Sequence, residues 1–411
     1  MHLTLFKNCH IVDGTSPEKS DPMDVITEYD RIREVGPDLS SSSAEVIDLK
    51  GRTLMPGLID CHVHVIAALA DLGANSCLPD SLITARALVI MRDMLMRGFT
   101  TVRDVGGADH GLIQITREGL FPTPRVLTSG NALSQTGGHC DFRGRYNSAP
   151  VAATKIPLGA IGRICDGEQE IRLAAREELK GGADFIKIMA NGGCASPTDP
   201  IHFLGFSRQE LSAVVEEAEN AGTYVSAHLY TDQAIRRCVD CGVHSLEHCN
   251  LIERDTAVFA ADHGAIAVPT LITYDKLASE GAAKGFPADS IAKIENVRKA
   301  GMGSLSIMHE AGLTMAFGTD LLGDMQCHQS EEFIIRGRAL PAHEVIASAT
   351  HKAAKLLRMD GQIGTISADA YADLIVVNGN PLEDLSLLTE QGGHMPIIFQ
   401  GGQFIKRQHL S

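Results

Sequence analysis

No run of 18 or more apolar residues occurs in the 411-residue sequence, so a membrane-spanning helix is not expected. Positive charge is scarce: 36 Lys and Arg against 51 Asp and Glu leave a formal charge of −15. A surface that acidic repels phosphate backbones and anionic lipid, which argues against nucleic-acid and membrane partners. The opening residues, Met1 to Asn8, lack a basic stretch followed by an apolar one, so no secretion is expected. Ten cysteines without the spacing of a small disulfide-framed domain fit a cytoplasmic location. The pair Cys238 and Cys241 reads as buried thiols rather than redox or metal chemistry. Tryptophan is missing too, yet 44% hydrophobic residues with 40 Gly and 16 Pro make ordinary globular material.

Both ends of the chain read as β. Residues 3–14 alternate and turn at Asp13-Gly14, 46–51 read as a further strand, and 372–379, 396–401 and 403–406 repeat the pattern at the far end. Between them, short β-branched runs alternate with helical stretches. The runs are 57–65, 100–105, 125–129, 185–189, 224–229, 245–249, 265–269 and 314–319; helical periodicity marks 168–180, 207–221 and 341–357. Eight strand-then-helix units predict an α/β fold, a (β/α)8 TIM barrel with chemistry at the C-terminal ends of its strands. The expected domains are a small β-sandwich from residues 1–56 and 358–411 and a barrel over 57–357. The Gly-rich stretch 131–167 reads as a functional loop.

Six residues fall at the mouth ends of those runs. His62 and His64 lie two apart on the first, so their imidazoles share a face. Lys187 is on the fourth run, His228 on the fifth, His248 on the sixth and Asp320 after the eighth. Imidazoles and a carboxylate suit Zn²⁺ or a related divalent ion. A lysine ammonium has no lone pair to offer, but a lysine carboxylated by CO2 is anionic and has two oxygens, enough to bridge two metals. The expected centre is therefore binuclear: His62, His64 and Asp320 on one ion, His228 and His248 on the other, carboxylated Lys187 between. Taken singly, any of these residues could be a packed or solvated side chain; the joint pattern carries the reading.

The motifs Met55-Pro-Gly-Leu-Ile-Asp-Cys-His-Val-His64, Phe185-Ile-Lys-Ile-Met189, Ala227-His228, Glu247-His248 and Gly318-Thr-Asp320 resemble those of the amidohydrolase superfamily. The tail 364–381 resembles the strands that complete that family's small β domain. Within the superfamily, Thr136-Gly-Gly-His139, residues 191–200 and His228-Leu-Tyr230 look like the imidazolonepropionase-related branch that contains metal-dependent Xaa-Pro dipeptidases (prolidases).

The resemblance implies hydrolysis of an amide bond beside a free carboxylate in a dipeptide or N-acyl amino acid. It makes Asp320 the general acid and base, and His139 the group that hydrogen-bonds the scissile carbonyl. Tyr230, Arg145 and His202 are the candidates for the substrate carboxylate. A sister carboxypeptidase, an N-acyl amino acid or toxin amide hydrolase, a deaminase or cyclic-amide hydrolase, and a non-catalytic scaffold are the alternatives. A homo-oligomer is expected, as is common for large barrel enzymes.

Overall fold

The computed structural model describes residues 3–143, 146–147, 156–194, 196, 198–284 and 288–410. The N-terminal segment forms β1 (Leu3–Ile11), β2 (Pro22–Glu28), β3 (Arg31–Gly36), β4 (Glu45–Asp48) and β5 (Thr53–Pro56). The middle of the chain supplies β6 (Leu58–Val63), β7 (Phe99–Asp104), β8 (Arg125–Thr128), β9 (Ala132–Ser134) and β10 (Gly162–Ile164). It continues with β11 (Ile186–Met189), β12 (Val225–Thr231), β13 (Ser245–Leu251), β14 (Ile266–Val268) and β15 (Thr314–Met315). Strands β16 (Leu374–Val377), β17 (Ile397–Gln400) and β18 (Gln403–Arg407) close the sequence.

The fold is mixed α/β. A seven-stranded sheet runs β10-β9-β11-β12-β13-β14-β15 and a three-stranded sheet runs β6-β7-β8. Every pairing within these two sheets is parallel, as helical crossovers between successive strands require. Parallel strands in such folds are covered on both faces; accordingly β6, β7 and β11 are buried along their whole length, with Asp60, Arg103 and Lys187 among the buried side chains. Backbone bonds also run between the two sheets. Cys61 N donates to Phe317 O at 2.8 Å, and Asp184 N donates to Thr128 O at 2.7 Å.

The covering helices bury one stripe each. In the helix Arg208–Asn220, Leu211, Val214, Val215 and Ala218 face inward, and a capping box of Ser207 and Glu210 fixes its start. The expected helix over 341–357 is two helices, Ala342–Ser348 and His351–Leu356. Thr350 breaks it with φ −130° and ψ −112°, and its hydroxyl reaches across to Asp13 O at 2.7 Å. The stretch expected to be a loop carries β9 and β10, and β9 joins the sheet beside β11 through Leu133 and Ile188.

Both chain ends share a separate eight-stranded sheet, ordered β18-β17-β16-β5-β1-β2-β3 with β4 on β1. Its core holds Phe6, Leu54, Val376, Ile397 and Phe399, with Phe6 meeting Phe399 edge-on at 5.3 Å. Arg125 of β8 fastens this sheet to the rest, 2.7 Å from Asp373. No helix among the described residues is long and apolar enough to cross a membrane.

Candidate metal centre

The two histidines of β6 are held from behind. His62 Nδ1 lies 2.7 Å from Glu247 Oε2, and His64 Nδ1 lies 3.0 Å from Gly106 O. Both partners only accept, so each Nδ1 carries the hydrogen, and in the neutral imidazole each Nε2 then keeps its lone pair. Those two Nε2 atoms sit 3.3 Å from the same oxygen, Asp320 Oδ1. Two lone pairs and a carboxylate oxygen repel one another across such a gap, and a cation in the gap turns that repulsion into coordination.

Asp320 and His248 reach the site through unusual backbone. Asp320 has φ +53°, His248 +73° and Cys249 +56°, a left-handed region that costs a non-glycine residue roughly 1–3 kcal/mol. Successive strand residues ordinarily point to opposite faces. Midway along β13 the left-handed residues let two consecutive side chains meet His62: Glu247 at its Nδ1, and His248, whose ring lies 4.8 Å away. Asp320 N donates to His62 O at 2.8 Å, which anchors the carboxylate over β6.

The imidazoles form a row. His64 meets His62 at 5.6 Å, His62 meets His248 at 4.8 Å, His248 meets His228 at 4.7 Å, and His228 stacks on His139 at 4.2 Å. One ligand atom each from His62, His248 and Asp320 lies within 4.8 Å of the others. Burial first, and then the charges of neighbouring histidines, hold His228 and His248 well below the usual histidine range, so both stay neutral and able to donate lone pairs. Among the described residues, the buried His228 Nε2 has no hydrogen-bond partner.

Lys187 on β11 is 1% exposed. Burial pushes its amine down to about 8, with the carboxylates of Glu247 and Asp320 pulling it partly back. An orphaned imidazole nitrogen, lone pairs aimed at a carboxylate and a buried amine fit a divalent-metal site with nitrogen and oxygen donors.

Beneath the row lies a buried polar network with no counterpart in the sequence reading. Glu247 Oε1 accepts from Arg103 at 2.8 Å, Ser226 at 2.7 Å and Ser245 at 2.5 Å. Arg103 also donates to Cys61 O. Burial opposes the charge on Glu247, and Arg103 overcomes it, holding the carboxyl well below its usual range. Arg103 and its neighbour Asp104 do not pair with each other; they have separate partners. Asp104 accepts from the backbone of Val65 at 2.7 Å, Gly106 at 3.0 Å and Ala108 at 3.2 Å, bracing the loop behind His64. The available signal for Glu247 was a carboxylate inside a buried strand, a group that requires a charged partner.

His139 lies at the end of the row. Its Nδ1 is 2.7 Å from Ser196 Oγ and 3.5 Å from Asp199 Oδ2. Glycine at 193 makes room for it: a Cβ there would fall 1.8 Å from the ring. Tyr230 is buried, stacked on His248 at 5.4 Å, with its hydroxyl 2.9 Å from that of Tyr274. His202 is exposed, its ring edge-on to Phe203 at 5.0 Å. Arg145 lies outside the described residues. Cys238 is buried, which pushes its thiol up to about 12, in keeping with an inert thiol.

Comparison with known proteins follows the same lines. The amidohydrolase family model matches residues 53–402. An ochratoxinase of Aspergillus niger is 30% identical over 372 residues, 86% of this chain and 75% of that protein. A solved prolidase, complexed with N-methylphosphonate-L-proline, is 46% identical with a TM-score of 0.97 over 99% of this chain and 100% of that one. A Xaa-Pro dipeptidase with bound methionine in its active site is 28% identical, TM-score 0.87, over 98% of this chain and 100% of that one.

Proposed function

The chain belongs to the amidohydrolase family, and on that premise we propose that it is a binuclear metal-dependent dipeptidase cleaving the amide bond beside a free carboxylate, with Xaa-Pro dipeptides as substrates. The observation that carries the metal-dependent part is the row of imidazoles, with His228 and His248 held neutral, the orphaned His228 Nε2 and the buried Lys187. The substrate assignment is supported by the likeness to a prolidase that binds a proline phosphonate.

In this reading residues 57–357 form a closed (β/α)8 barrel, and residues 1–56 with 358–411 form a terminal β-sandwich. His62, His64 and Asp320 would hold one ion and His228 and His248 the other, with zinc the expected metal. Lys187 joins them as a carbamate: its amine, neutral for a larger share of the time than an exposed lysine's, adds to CO2 with loss of one proton. Divalent ions held there would supply a water of lowered pKa and polarise the scissile carbonyl. Asp320 takes the proton of the attacking water and delivers it to the leaving nitrogen, a step a tertiary proline amide needs in order to leave. His139, its Nδ1 fixed by Ser196, hydrogen-bonds the carbonyl oxygen as negative charge builds, a contribution of roughly 3–4 kcal/mol in comparable sites. Tyr230 is the hydroxyl candidate for the substrate carboxylate.

A dipeptide library varied at both positions tests the substrate. Release of proline well above other C-terminal residues is expected. Preference for bulky C-terminal residues would move the assignment toward a sister carboxypeptidase or a toxin amide hydrolase, a direction in which the ochratoxinase relative also points. Metal analysis of the protein expressed in replete medium is expected to find two ions per chain. Lys187→Ala should abolish activity, with partial recovery on adding short-chain carboxylates; full activity in that variant would remove the bridging role.

A further inference from the structure

Among the described residues, one cation near the row of imidazoles has no counter-charge. Lys293 lies on the helix Ala288–Glu310, which packs against β13 and the helix Leu271–Glu280. The same helix spends its other cations on surface pairs, Arg298 with Glu295 at 2.8 Å and Lys299 with Glu295 at 3.3 Å. Lys293 is half-buried, and among the described residues its ammonium has one hydrogen-bond partner, Gly193 O at 3.5 Å, and no carboxylate.

That contact places the ammonium at the reacting end of the site. Gly193 backs the ring of His139, and the next residue, Cys194, is buried close to the Tyr230 side chain and near enough to Lys293 to feel its charge. Lys293, His139 and the Tyr230–Tyr274 hydroxyl pair therefore gather around one short segment, residues 193–194. The neighbouring cations are otherwise engaged: Arg103 with Glu247 at 2.8 Å and Arg336 with Glu332 at 2.8 Å. A chain with a formal charge of −15 repels an anionic substrate at long range, so a local positive charge is needed to hold one. An ammonium is a point charge with rotatable donors and suits a carboxylate whose orientation varies with the residue that carries it.

We propose that Lys293 binds the substrate carboxylate next to the scissile amide, with a hydroxyl of the Tyr230–Tyr274 pair as its neutral companion. This rests on the dipeptidase reading above and names the residue that makes the free carboxylate a requirement.

The test compares an Xaa-Pro dipeptide with the same dipeptide prolinamide, whose carboxylate is neutralised, on the metal-loaded wild type, Lys293→Met and Lys293→Arg. The wild type should prefer the acid. Lys293→Met should raise KM for the acid about 30-fold, the cost of one charge-assisted hydrogen bond, with kcat changed less than about threefold. Its kcat/KM for the prolinamide should stay within about threefold of wild type, and Lys293→Arg should restore most of the acid preference. Calorimetric binding of L-proline, weakened in Lys293→Met and recovered in Lys293→Arg, is the readout independent of turnover. Equal losses on acid and amide would overturn the proposal, since they would mean that Lys293 only holds Gly193 and the loop behind His139. An unchanged KM for the acid in Lys293→Met, with the wild type active, would also overturn it and leave the dipeptidase reading standing. A wild type inactive on every carboxylate-bearing dipeptide would defeat that reading first, before any variant is compared.

Discussion

Among single residues, Glu247 has the most to answer for. Arg103, Ser226 and Ser245 all donate to one of its oxygens, leaving the other to accept from His62. In Glu247→Gln those donors keep the amide oxygen and turn the NH2 toward His62 Nδ1, forcing the hydrogen onto Nε2, where it faces Asp320. Zinc titrated into the metal-free variant should bind about 10–100-fold more weakly than to wild type. Arg103→Met leaves the buried Glu247 charge uncompensated and should cost about 3–5 kcal/mol of stability in urea unfolding. The sequence exposed the groups whose chemistry is local: an HxH pair, a lysine in a buried run and an aspartate after Gly318-Thr319. It did not expose Glu247, whose role depends on an arginine 144 positions away and on a strand that departs from alternation midway.

At the level of elements, the short β-branched and apolar runs marked the strands well, although β6, β7 and β11, buried along their whole length, also carry the polar side chains of the site. Irregular pieces were harder to read. Strands β9 and β10 are three residues each, too short to show a period. The expected strand over 314–319 is paired only at Thr314 and Met315 with β14, since Phe317, Thr319 and Asp320 turn to bond β6. Thr350 interrupts a helical pattern for the sake of a contact with Asp13. Two outcomes belong here. Gly193→Ala drives a methyl into His139; kcat should fall at least about 100-fold, while metal content measured by atomic absorption stays at wild-type level. Ser207→Ala removes the capping box and should lower stability by about 1 kcal/mol in thermal or urea unfolding, with kcat untouched.

For the whole molecule, acid should be the weak side, and His244 is one identifiable cause. Burial, then the charges of Arg358 and Arg103, push its imidazole down to about 4. Between the unfolded value near 6.5 and about 4, the unfolded chain binds a proton there that the native state does not. Stability is therefore unaffected above pH 6.5, falls as pH drops through that window, and loses about 2–3 kcal/mol by its lower end. Urea midpoints at pH 7.5 and 4.5 should move closer together in His244→Phe. A consequence of a different kind comes from the sheet sewn from both chain ends. Strand β5 has β1 on one side, and on the other it pairs Leu54 with Val376 of β16. At about 5–20 residues per second of translation, that second side waits about 20–60 s on the ribosome for its mate. Until then the nascent chain presents a bare apolar edge, the kind that recruits neighbours into aggregates, so its yield in cells depends on how quickly the last strands are delivered or how well that edge is shielded meanwhile.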